Sequence, residues 1–437
     1  MEQEEKIISE KRKQNIKLYT IHRMLTADLL FYYAIKFAFL TQIKGLSAED
    51  IVLASAFFGV FKLLSQIPTI ILIDKIGSKK SLILSDLLMS ISVLIVMLSN
   101  NLATLIFANL ISGISSAIKE VAENGLLNKS IPDMENKSSV FAKIDSKGLG
   151  NFYYMSAFSA VISGLLFEVN GYIPMSICII TLLIAARIAT MMCTVEEEKN
   201  RYTIKSEIAK EYKNYFKDIK LAFSFIFHSR RLKALMVYAG VMYGIIMVMN
   251  TYEMGLLQEI ELSATAIGII YATMQIVSGI AASLQSKLHE KLRNKTLTVI
   301  GISYTIACLV AGLIAISKAP YSIIILVIVI TYIIRYLSSG SYYILIKKYI
   351  TNFTNEEVSN KVYSAYGIVT GIGNALIGML GSIIVAHYNL KISMIIFGLL
   401  FTLVMCVMLQ FMKPRVGLKP EEYRKKDINY KEYVRLK

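Results

Sequence analysis

Runs of about twenty apolar residues with few charges recur along this 437-residue chain, each long enough to cross the hydrocarbon core of a bilayer as a helix. Twelve can be counted, at 24–43, 50–72, 81–99, 101–123, 148–168, 172–194, 233–253, 263–285, 296–316, 320–346, 360–386 and 390–412. A soluble helical protein would need a polar face on each helix, and the run "YSIIILVIVITYII" at 321–334 has none. Only 18% of the residues are charged, against roughly 25% in soluble domains. The expected fold class is an all-α membrane protein with twelve transmembrane helices. The first span is too long for a signal-peptide core and lacks a small-residue cleavage site, so no cleaved leader is expected. Cys178, Cys193, Cys308 and Cys406 have no paired spacing, and the four histidines are scattered. No disulfide framework, metal site or cofactor is expected.

Lysine and arginine favour cytoplasmic loops. With both termini inside, the inner segments hold 39 of the 47 Lys and Arg, and the outer loops hold only Lys44, Lys318 and Lys391. The chain is therefore expected in the cell membrane, multi-pass, with both termini cytoplasmic. The net charge of +16 reads as topology, with lipid as its partner and no nucleic acid. The sequons at Asn128, Asn136 and Asn352 fall on the inner side, where no glycosylation is expected.

Six spans end near residue 194, and six more begin at 233. Between them, 195–232 is charged, with Tyr212, Tyr215, Phe216, Ile219, Phe223 and Ile226 at helical spacing. That pattern predicts an amphipathic helix at the inner membrane surface. The expected organisation is a six-helix half (1–194), the linker (195–232), a second six-helix half (233–412) and a basic cytoplasmic tail (413–437). The halves repeat. Under a shift of 216 residues, Leu46-Ser47-Ala48 falls on Leu262-Ser263-Ala264, Ile51 on Ile267, Ala56 on Ala272, Leu72 on Leu288, Asp74-Lys75 on Glu290-Lys291 and Lys79 on Lys295. Such a parallel repeat implies two bundles related by a pseudo-two-fold axis along the membrane normal.

The stretch "IILIDKIGSKK" at 70–80 is similar to the loop 2–3 signature of the major facilitator superfamily, G-x-L-x-D-R-x-G-R-K. Leu72, Asp74, Gly77 and Lys79 are kept, Lys75 replaces the arginine, and Ile70 and Ser78 depart from the pattern. The resemblance implies a gating loop that latches the inner ends of the helices. In it Asp74 faces the start of span 11 and Lys75 pairs with Glu123 or Glu120 on span 4. Gly77 allows a tight turn, and Lys79, Glu290 and Lys291 belong to the same pair of loops. It also implies that spans 1, 4, 7 and 10 line a central path, while spans 3, 6, 9 and 12 face lipid.

Ionisable groups inside a bilayer are costly, so their placement is informative. Asp28, Tyr32 and Lys36 recur every fourth residue on span 1, which puts them on one face. Span 4 carries Asn109, Ser112, Ser116, Glu120 and Glu123, with Lys119 beside them; span 7 has Asn250 and Glu253; span 10 has Arg335, Ser338, Ser339 and Tyr342. Spans 9 and 12 have no ionisable group and span 3 only Asp86, near its inner end. On span 11, Gly367, Gly371, Gly378 and Gly381 suit close helix contact. Lys36 lies near the membrane centre, where a lysine costs at least ~2.5 kcal/mol; it either pairs with Glu253 or binds an anionic solute group.

Together these features imply a secondary transporter of a small solute by alternating access, coupled to protons and acting as a monomer. No P-loop is present, and no catalytic constellation supports an enzyme. Competing readings are efflux of amphipathic compounds, uptake of a peptide or anionic nutrient, and, in a different class, a non-transporting sensor built on a transporter fold. The cluster "FYYAIKF" (31–37) shares only its aromatics with the peptide-transporter element E-x-x-E-R-F-x-Y-Y-G. The antiporter arginine of span 4 is replaced by Asn109, four residues before Gly113.

Overall fold

A computed structural model describes residues 2–132, 137–193, 205–292, 295–354 and 356–412. Among the described residues all regular structure is helical. The order is α1 (Glu2–Thr26), α2 (Tyr33–Ala38), a π-helical turn (Phe39–Ile43), α3 (Ala48–Leu98), α4 (Leu102–Ser130), α5 (Lys137–Val169) and α6 (Tyr172–Met191). After these come α7 (Lys205–His228), α8 (Arg230–Glu259), α9 (Ala264–Leu292), α10 (Thr296–Ile316), α11 (Tyr321–Phe353), α12 (Glu356–His387) and α13 (Leu390–Met412). Residues 194–204 of the span 6 end and linker, and the tail 413–437, lie outside the described residues.

Ten helices are long and apolar enough to cross a membrane, and they match the expected spans 3 to 12. The first two spans differ. Span 2 is the opening part of α3, which runs on into span 3 with a single non-helical residue, Gly77, at φ 83° and ψ 158°. That backbone region is open essentially to glycine alone. Span 1, expected as one helix over 24–43, is interrupted: α1 stops at Thr26 and α2 starts at Tyr33.

The described chain forms two compact units. The first holds residues 1–46 and 57–212 together with 263–273, and the second holds 47–56, 213–262 and 274–437. Each unit thus takes in a short stretch from the other half of the sequence, and the two exchanged stretches coincide under the 216-residue shift. In the first unit the exchanged stretch is capped by Glu168 of α5, whose carboxylate accepts from the Thr265 amide at 3.0 Å. In the second, Ser382 of α12 donates to the Glu49 carbonyl at 3.4 Å.

Where α1 packs in the first unit there is an apolar core around Tyr19, Leu82, Ala122, Leu127 and Ala189. In the second unit α8 and α12 meet so closely that a Cβ on Gly373 would overlap the Gly240 carbonyl oxygen. The close contact expected of the span 11 glycines therefore also involves Gly373, which is outside the spacing first singled out. Spans 3, 6, 9 and 12 expose rows of large apolar side chains, such as Leu87, Ile91, Leu94 and Leu98 on span 3. In water such a row would be costly; against lipid tails it is neutral. On α7, Tyr212, Tyr215 and Phe216 lie outside the described side chains. The following turns bury Ala222, Phe225 and Ile226 in the second unit. Of the residues that make the predicted apolar face, Ile219 and Phe223 are half-buried and Ile226 is buried.

Candidate functional site

Span 1 breaks where a continuous helix would bring Asp28, Tyr32 and Lys36 onto one face. Residues 27–32 form turns, and Phe31 has φ 62°, in the left-handed region that a bulky residue rarely adopts. No glycine or proline causes the break. Two polar side chains replace the helix bonds it removes. In an unbroken helix the Thr26 carbonyl would accept from residue 30; here the Lys119 ammonium of α4 donates to it. The Leu29 amide donates instead to the carboxylate of Asp28 at 2.9 Å. Irregular backbone at membrane depth is tolerated where its polar groups are satisfied in this way or line a cavity.

Both conditions hold. A half-open recess of about 10 Å3, room for about one water molecule, adjoins the break. Leu29, Phe31, Tyr32 and Tyr33 line it from span 1, Ser156, Ser159 and Ser163 from α5, and Tyr271 from the exchanged stretch of α9. The Ser159 and Ser163 hydroxyls donate to their own helix at 3.0 Å each, so both present oxygen lone pairs to the cavity. Asp28 is exposed between buried Thr26 and buried Leu30, and its closest polar neighbours include the Tyr33 hydroxyl, Lys119 and Lys36. The Lys36 ammonium lies 5.8 Å from the centre of the Tyr32 ring, within cation–π range. Asn109 is half-buried on α4.

On the α1 side of the break lies a largely buried ion cluster. His22 places Nε2 2.8 Å from Oδ2 of Asp86 and Nδ1 3.4 Å from Oε1 of Glu123. Arg23 meets Oε2 of Glu123 at 2.7 Å and Oδ1 of Asp145 at 3.2 Å. The Tyr19 hydroxyl donates to Asp145 at 2.8 Å, and Thr26 donates to Glu123 at 3.3 Å. Glu123 therefore serves span 1, and the pairing expected with Lys75 is not made. Glu120 is ion-paired with Lys62 at 2.9 Å, and Lys75 is exposed. The reason is reach: Arg23 and His22 on α1 pack directly against α4, while Lys75 lies on the surface.

In the second unit Glu253 of α8 and Arg335 of α11 are fully buried and joined by an ion pair. The guanidinium lies 4.6 Å from the centre of the Tyr332 ring and 5.6 Å from that of Tyr304. One Glu253 oxygen and the Arg335 Nε have no hydrogen-bond partner. The charge of Glu253, one of the two partners weighed for Lys36, is met here by the guanidinium on the adjoining helix. The rest of the span 10 stripe is also absorbed by packing: Ser338 meets Ser303 at 3.0 Å, and Tyr342 donates to the Ala239 carbonyl at 2.7 Å. Among the gating-loop residues, Lys291 is exposed and Lys79 half-buried. The side chains of Asp74 and Glu290 lie outside the described residues.

Sequence reasoning missed His22, Arg23 and Asp145 altogether and passed over Asp86. One signal was present. A lone carboxylate in an otherwise apolar span needs a cation from a neighbour, and His22-Arg23 is the basic pair that directly precedes span 1.

Comparison with known proteins bears on the whole arrangement. The family model described as Major Facilitator Superfamily matches residues 24–335. Among curated proteins no sequence matches the chain. Solved structures similar to it include the nucleoside transporter NupG, at 12% identity and a TM-score of 0.68, covering 92% of this chain and 99% of that one. A D-xylose-proton symporter is similar at 13% identity and a TM-score of 0.65, with 94% and 98% covered. A peptide transporter, POT, in complex with alafosfalin is similar at 12% identity and a TM-score of 0.64, with 94% of each chain covered. At such identities the likeness is one of fold.

Proposed function

Because the chain belongs to the major facilitator superfamily, we propose that it is a secondary active transporter carrying a small polar solute by alternating access, coupled to protons and without ATP hydrolysis. The observation that carries this reading is the break in span 1, with Asp28 and a hydroxyl-lined cavity beside it. Broken helices at the membrane midplane supply directed backbone and side-chain groups to a solute. Nucleosides, D-xylose and peptides, named for the similar structures, are all polar molecules.

The cavity favours a solute that offers hydrogen-bond donors. Its serine and tyrosine oxygens can accept, and no methionine is among its lining residues. An amphipathic drug would gain less from such walls. Of the basic groups on these spans, Arg335 is committed to Glu253 and Lys119 to the Thr26 carbonyl, while Lys36 stands near the Tyr32 ring and Asp28.

The test is a thermal-shift screen of the purified protein against nucleosides, monosaccharides, dipeptides and amphipathic drugs, followed by exchange of each hit across proteoliposomes. A ligand for the native state raises its stability with occupancy. A polar hit that exchanges, and whose shift is lost in Asp28→Asn, supports the reading. Absence of exchange for every compound that binds would overturn it in favour of a sensor.

A further inference from the structure

We propose that His22 is a proton-binding site of this transporter, its ring held doubly protonated between Asp86 and Glu123 and tied through Thr26 to the break in span 1. The inference rests on the transport reading above and adds to it the group that carries the proton. A neutral imidazole has one N–H, whereas an imidazolium has two. Here Nε2 faces Asp86 at 2.8 Å and Nδ1 faces Glu123 at 3.4 Å; a charged ring gives each carboxylate an N–H, whereas a neutral ring serves Asp86 alone and turns its Nδ1 lone pair to the Thr26 hydroxyl at 3.3 Å.

Charge balance points the same way. The groups around the ring come from every helix packed on it. The element α1 gives Tyr19 and Arg23; α3 gives Asp86; α4 gives Lys119 and Glu123; α5 gives Asp145 and, near Arg23, Tyr153. On α6 the arginine, Arg187, is exposed and bonded to Thr190 on its own helix. With His22 protonated, Asp86 and Glu123 each face a cation, whereas proton loss leaves buried Asp86 without one and Glu123 with Arg23 alone beside it, which a low-dielectric interior penalises.

The release step is simple. The Nδ1–H bond breaks and a proton passes to Oε1 of Glu123, giving a neutral ring and a carboxylic acid. Glu123 then yields the proton to water at the edge of the cluster, where the side chains of Arg23 and Asp145 keep 23% and 30% of their surface exposed. The link to transport is Thr26. Its hydroxyl lies between His22 and Glu123, while its carbonyl holds Lys119 at the edge of the break. A change of charge on the ring therefore bears on the residue from which the interruption starts.

Two measurements test this. In the full-length protein labelled with 15N-histidine, the signal removed by His22→Gln should be that of a ring with both nitrogens protonated at pH 7, and unfolding temperature should fall on the alkaline side in the wild type but not in that variant. A neutral His22 ring at pH 7 overturns the proposal; if His22→Gln does not fold, replacing His228, His289 and His387 leaves the His22 signal as the one that remains. The second uses the compound that exchanges best in the screen. For one proton per solute, a gradient of one pH unit sustains about tenfold accumulation. His22→Gln should lose that accumulation relative to its own gradient-free exchange, and a variant that still accumulates overturns the assignment. Failure of the wild type to exchange any compound would instead sink the transport reading, and it leaves the ring-charge result standing by itself.

Discussion

Glu253 and Arg335 have almost no exposed surface, so neither tolerates losing the other. Glu253→Ala leaves a guanidinium buried without its counter-charge and is expected to cost about 3–5 kcal/mol, while Glu253→Leu with Arg335→Leu should recover much of that loss. Thermal unfolding of the detergent-solubilised protein would show both, and a double variant as unstable as the single would contradict the pairing. Gly77 makes a second case. Nothing lies within 4 Å of where its Cβ would be, so Gly77→Ala meets no neighbour and acts only through its backbone conformation. The expected loss is about 1–2 kcal/mol, read as a lower unfolding temperature with transport of a screened solute retained. The sequence made these charges visible because a charge in an apolar run stands out. Their partners were not visible: Lys36 and Glu253 sit one residue apart under the repeat shift, yet proximity in that alignment says nothing of which helix face meets which.

The break in span 1 belongs to the scale of the element. Its amides between Asp28 and Tyr32 lack the regular ladder that protects α4 and α5 on either side. Hydrogen exchange should therefore be faster over 28–32 than over the central turns of α4 and α5; equal protection would mean that span 1 is a continuous helix. Lys119→Met should enlarge the difference, because it removes the donor to the Thr26 carbonyl. None of this was legible in "TADLLFYYAIKF", which has good apolar content and no glycine or proline. The interruption is held by Lys119, about ninety residues away in sequence, and periodicity reads only neighbours. By contrast the spans from 3 onward were legible to within a few residues, since a bilayer imposes both their length and their apolar character.

At the scale of the molecule the duplication was the most legible feature. The identities at Leu46, Ser47, Ala48, Ile51 and Ala56 fall in or beside the two stretches exchanged between the compact units. Orientation across the membrane is a matter of charge. With the four native cysteines replaced, single-cysteine variants at Ser78 and Ser206 should react with an impermeant maleimide only after cells are permeabilised. Reaction in intact cells would invert the topology drawn from the 39 inner lysines and arginines.

The ion cluster also sets an order on biosynthesis. Span 1 leaves the ribosome first, carrying His22 and Arg23, but Asp86, Glu123 and Asp145 are translated dozens of residues later. Until α5 has been made, the opening helix has no complete set of counter-charges and an interrupted apolar stretch to hold it in the bilayer. Its final seating is thus a late event, completed only when the fifth span arrives, and the N-terminal segment joins a bundle that its successors have already begun to build.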